Sequence, residues 1–86
     1  MENKIQTLQV IYELVKKDIK PSTSNIHPNE ILSRLHLPWD EIVNHLNALQ
    51  TDGLIILKQL SVAVINITDK GFQYMTDFQA SVTTGN

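Results

Sequence analysis

Apolar residues along this chain keep helical spacing over most of its length and gather into two short, nearly continuous runs only between positions 54 and 67. In residues 2–19, Ile5, Leu8, Tyr12, Val15 and Ile19 recur at three- and four-residue steps with Ile11 on their flank, which predicts a first helix. Val10 and Leu14 lie roughly opposite that face. Such a second stripe predicts either a contact with the last helix or a seam between two copies. The polar run 20–25, broken by Pro21, reads as a loop, and Ile26 after it as a strand of one or two residues. Pro28 stands at a favoured first position of a second helix with Glu30 in its first turn, and Ile31, Leu32, Leu35 and Leu37 give it a core face. Leu37-Pro38 breaks the pattern, and Trp39, Asp40 and Glu41 open a third helix with acids at the positive end of its dipole.

The stretch 27–68 organises the rest. Ile42, Leu46 and Leu49 share one face of the third helix. Asp52-Gly53 ends it, because glycine takes the left-handed C-terminal position without a steric penalty. Strands are expected at 54–58 and 62–67, around a turn at Gln59, Leu60 and Ser61. Alternation sends Ala63, Ile65 and Ile67 to one face and Val62, Val64 and Asn66 to the other. Thr68 is a good N-cap for a last helix that carries Phe72, Met75 and either Phe78 or Gln79 inward. Residues 80–86 are small and polar and read as a frayed tail, leaving one folded domain over 1–79.

The phrase from Ile42 to Ile55, a helix closed by an acid-glycine pair and followed at once by Leu54 and Ile55, resembles the recognition helix and first wing strand of the winged helix-turn-helix superfamily. Thr68-Asp69-Lys70-Gly71-Phe72 resembles the opening of the last helix in many winged-helix regulators. The resemblance covers roughly residues 5–78. It implies a mainly α chain with a small β-hairpin wing (α+β), in the order helix, short strand, helix, helix, strand, strand, helix. It also implies a DNA-binding transcriptional regulator acting as a dimer, although winged helices serve as RNA and protein binders too.

Composition narrows the classes. Eighty-six residues, 42% hydrophobic and 19% charged, suit one small folded domain. No apolar run approaches the roughly 18 residues of a membrane span. The first ten residues lack the basic-then-apolar pattern of a secretory signal, and no cysteine is present for a disulfide or thiolate site, so a reducing cytoplasm is the expected compartment. A net charge of −2 weighs against non-specific nucleic-acid binding by the chain as a whole.

For a helix lying in the major groove of double-stranded DNA, geometry turns Asp40, Asn44, Asn47, Ala48 and Thr51 outward, with Glu41 beside them and His45 and Gln50 at the helix edges. Asparagine pairs with adenine through two bonds, so Asn44, Asn47 and Thr51 are the candidates for base contacts. DNA-binding members of the superfamily usually carry arginine or lysine where this chain has Asn44, Asn47 and Ala48, and no cation lies between Pro38 and Gly53. Phosphate contacts therefore fall to Arg34 and Lys58.

A competing reading is a winged-helix module that binds another protein. Wings that track DNA tend to carry cations or glycine at the tip, whereas this one carries Leu60, with Val62 and Val64 on the outer strand face. An outward Leu60–Val62–Val64 patch suits a protein surface. The alternative is that a terminal segment folds over it. Val10 and Leu14 are the other candidate interface. Trp39 either packs over the neighbouring helix or anchors a partner. Catalysis finds no footing, and neither a metal nor a cofactor is expected. Asp40 and Glu41 are adjacent and diverge on a helix, His27, His36 and His45 are spaced by nine, and Gly53, Gly71 and Gly85 stand too far apart for a phosphate loop.

Overall fold

The computed structural model describes residues 4–59 and 61–84. Over these the chain is mostly helical: α1 (Lys4–Val15), a 3-10 turn (Pro21–Thr23), α2 (Pro28–Leu32), α3 (Trp39–Thr51), β1 (Ile55–Gln59), β2 (Ala63–Ile67) and α4 (Asp69–Thr84). β1 and β2 form an antiparallel hairpin in which Ile55 faces Ile67 and Leu57 faces Ile65. The core gathers Leu8, Ile11 and Val15 of α1, Ile31 of α2, Ile42, Leu46 and Leu49 of α3, the inner face of the hairpin, and Met75 of α4.

α1 stops earlier than the apolar spacing suggests. Its last residue is Val15, and the Asp18 N–H closes a turn on the Val15 carbonyl at 2.9 Å. The Asp18 carboxylate accepts the Ser24 hydroxyl, which holds the chain in a polar loop rather than a further helical turn. Ile19, expected on the core face, is consequently 97% exposed. The inner face of α1 includes Thr7, fully buried and in step with Ile11 and Val15.

Ile26 makes a bridge rather than a strand. It exchanges both main-chain hydrogen bonds with Ile65, at 2.9 and 2.8 Å, and pairing goes no further because Pro28 lacks an N–H and begins α2. In α2 the Glu30 carboxylate accepts the His27 N–H at 3.1 Å, an acid satisfying the open end of the helix.

α3 ends as its sequence predicts. Gly53 has φ 79°, and the Leu54 N–H reaches back to the Leu49 carbonyl while the Gly53 N–H bonds to that of Gln50, both at 2.9 Å. This pair of bonds is a Schellman motif, with Leu49 and Leu54 both buried across it. The turn aims the chain into β1, so α3 runs alongside the hairpin.

α4 is held to that same corner. The Thr68 hydroxyl donates to the Gly53 carbonyl at 2.7 Å and accepts the Gly71 N–H at 2.9 Å, acting as N-cap and strap at once. Lys70 donates to the Asp52 carbonyl at 2.8 Å. The helix continues to Thr84, beyond the expected boundary at Gln79. Residues 85 and 86 of the expected tail lie outside the described residues.

Candidate docking face between α3 and the hairpin

Four of the five outward residues of α3, Asp40, Asn44, Asn47 and Thr51, are exposed, as is Glu41 beside them, and Ala48 is half-buried. The Thr51 hydroxyl donates to the Asn47 carbonyl at 3.0 Å, one turn back along the helix. The helix edges are committed elsewhere. His45 Nδ1 lies 2.8 Å from the hydroxyl of buried Thr7, tying α3 to α1. Gln50 Oε1 accepts the Leu57 N–H at 2.8 Å, so its amide covers the edge of β1 that β2 leaves open.

Beside this helix face lies an apolar groove of about 230 Å³. Trp39, Val43, Leu46 and Asn47 of α3 form one wall, and Leu57, Lys58 and Gln59 of β1 with Ala63, Val64 and Ile65 of β2 form the other, Pro28 completing the lining. Trp39 is 44% exposed. It neither disappears into the core nor stands clear of the groove.

The wing differs from its expected form. Val64, expected on an outward apolar patch, is only 3% exposed. The 3-10 turn and the start of α2 pack on β2, and Asn66 two residues on donates to the Ser24 carbonyl at 2.7 Å and to Asn25 Oδ1 at 3.0 Å. Both sides of β2 are thereby buried, and Asn66 spends its amide hydrogens on this loop while its buried Oδ1 has no hydrogen-bond partner among the described residues. Val62 stays exposed, as does Ile56 on β1. Leu60 lies outside the described residues.

The two phosphate candidates are separated. Lys58 lines the groove beside Asn47. Arg34 lines a different depression, with Gln6, Gln9, Val10 and Glu13 of α1 and Leu35. Val10 and Leu14 are half-buried against the core. Several other cations are engaged: Lys4 pairs with Asp52, and Lys16 pairs with Glu13 at 2.7 Å, whose hydrogen bond and charge hold the Lys16 ammonium above the usual lysine pKa. Among the described residues no group of three His, Asp or Glu side chains is placed to hold a metal, and no helix is long and apolar enough to cross a membrane.

The burial of Thr7, the commitment of Gln50 to β1 rather than to an outward contact, and the groove all depart from the sequence expectations. Thr7 had a usable signal, since it precedes Ile11 and Val15 at four-residue steps on a core face. Gln50 had none, because its partner is a main-chain group of a strand that pairs elsewhere. No protein-family model, curated protein or solved structure matches this chain.

Proposed function

We propose that the chain is a winged-helix domain acting as a protein-interaction module, with its docking face between α3 and the hairpin. The order of helices, the single bridge at Ile26 and the hairpin that follows α3 support the winged-helix reading. One observation carries the docking reading: an apolar groove, with half-exposed Trp39 at its rim, stands beside the helix face that a DNA reader would turn to the duplex. Tryptophan supplies a large apolar contact, and grooves of this kind bind partners by excluding water from such a side chain. Duplex DNA demands the opposite surface, since phosphate neutralisation supplies nearly all non-specific affinity. Here Lys58 is the one cation lining the groove among the described residues, and Asp40 and Glu41 stand exposed in the first turn of α3.

A second reading, a dimeric DNA-binding regulator, is favoured by the meeting of Asn47 and Lys58 in one concavity, with Asn44 and Thr51 exposed on the same helix. In that reading the three α3 side chains touch base edges and Lys58 a phosphate, Arg34 lies farther round, and a second copy doubles a thin set of contacts.

Amide NMR with random-sequence duplex DNA at low salt separates the two, because electrostatic binding is strongest there. The docking reading expects Asn44, Asn47, Thr51 and Lys58 to stay unshifted. Shifts confined to those residues and fading with added salt would overturn it in favour of DNA.

A further inference from the structure

We infer that the groove between α3 and the hairpin binds a short extended peptide segment bearing one bulky apolar residue with an acidic residue beside it. The inference rests on the docking reading and specifies its partner.

Size comes first. At about 230 Å³ the groove falls below the roughly 300–1,000 Å³ usual for small-molecule sites. It holds one large side chain, in the manner of an interface anchor inserted beside a tryptophan. Val43, Leu46 and Leu57 supply an apolar floor, and Trp39 closes over one side of the inserted group.

Backbone chemistry sets the extended form. On β2 the side away from β1 is taken by Ile26, while the open edge of β1 faces α3, since the Leu57 N–H is met by Gln50. By strand alternation Gln59 presents its N–H along the same edge, and Gln59 lines the groove. A segment lying beyond the Gln50 cap accepts the Gln59 N–H through its main chain while its side chain fills the concavity.

Charge fixes the flank. Lys58 lines the groove and is exposed, so it selects a carboxylate. Asp40 follows Trp39 in sequence and is exposed in the first turn of α3, where its carboxylate repels a polyanion. This mixed arrangement favours a peptide over a nucleic-acid strand.

The test uses the whole chain, immobilised, to pan phage-displayed random dodecapeptides. The recovered consensus, made synthetically, is then titrated while the emission of Trp39, the sole tryptophan, is followed. The expected consensus carries a bulky apolar residue with an acid close to it, and binding shifts Trp39 emission to the blue. Lys58→Glu is expected to weaken that peptide about tenfold, and replacing the peptide's acid by lysine to restore the loss. Val43→Asp, checked for folding by circular dichroism, is expected to abolish binding by placing a carboxylate in the apolar wall. No shared consensus, a consensus that leaves Trp39 emission unmoved, or binding indifferent to Lys58→Glu overturns the inference. Random duplex DNA is run in parallel: a response to DNA with none to peptide overturns the docking reading too, whereas silence from both overturns the peptide alone.

Discussion

Gly71 presses against the carbonyl of Leu54 so closely that a β-carbon on it would lie 2.1 Å from that oxygen. α4 can therefore approach the start of the hairpin only with glycine at this position. Two effects oppose each other in Gly71→Ala. Alanine raises helix propensity by about 1 kcal/mol, but the clash is with backbone that cannot swing aside, and such overpacking costs about 1–3 kcal/mol or more. The clash wins. The variant is expected to lose about 1–2 kcal/mol net. For a domain of this size that lowers Tm by roughly 5–15 °C, readable by thermal circular dichroism. A Tm equal to or above the parent would show that α4 can lift away freely.

Thr7 and His45 join α1 to α3 through a hydroxyl that is entirely buried. Thr7→Val keeps the shape and removes the partner of the ring nitrogen. His45 is only half-buried, so water can replace part of the lost bond. The expected cost is about 1 kcal/mol, measured as a lower urea midpoint with an unchanged m-value. An unchanged midpoint would mean the hydroxyl contributes nothing beyond its volume.

Gln50 guards an edge. With its side chain on the Leu57 N–H at 2.8 Å, it caps the middle of the open edge of a two-stranded hairpin. Open edges invite pairing with other chains. Gln50→Ala is expected to speed hydrogen exchange at the Leu57 amide by about tenfold, on a net bond energy near 1 kcal/mol, and to raise self-association in sedimentation. Exchange at the parent rate would assign protection of that amide to α3 as a whole.

The parts of this fold that local chemistry dictates were legible in the chain. Ile42, Leu46 and Leu49 marked the α3 face, Gly53 its end, and Thr68 the cap of α4, because each acts through neighbours within a turn or two. Gly71 shows the limit. Its place in the Thr68–Phe72 phrase was visible, but its reason, the Leu54 carbonyl, lies 17 positions earlier. Ile19 misled for a related cause: the spacing fitted a helix that Asp18 and Ser24 had already turned aside. Val64 and Asn66 were assigned by alternation to an open face, and no strand period reveals that the 3-10 turn packs on that side. The docking face was half legible. Asn47 and Lys58 were each singled out, but their meeting in one groove, and the separation of Arg34 from it, depend on how α3 sits against the hairpin.

That separation makes salt dependence decisive between the two functional readings. Each phosphate neutralised on duplex DNA contributes about −0.9 to the slope of log affinity against log salt. With Lys58 as the cation of the groove, any duplex binding is expected to show a slope no steeper than about −1 per protomer. Lys58→Ala should flatten it entirely, and Arg34→Ala, whose side chain lies with Glu13 and Gln9 in another depression, should leave it unchanged. Asn47→Ala, by contrast, removes an amide and no charge, so in a base-reading role it would alter preference among sequences at constant slope. Fluorescence anisotropy with a labelled duplex at several salt concentrations measures all four proteins. A steep slope in the parent that falls with both Lys58→Ala and Arg34→Ala would make the two cations one phosphate-binding surface and establish DNA as the partner. An undetectable response to duplexes of random sequence at low salt favours a protein ligand for the α3–hairpin groove, because a surface that gathers so few counterions has no other source of non-specific affinity for a polyanion.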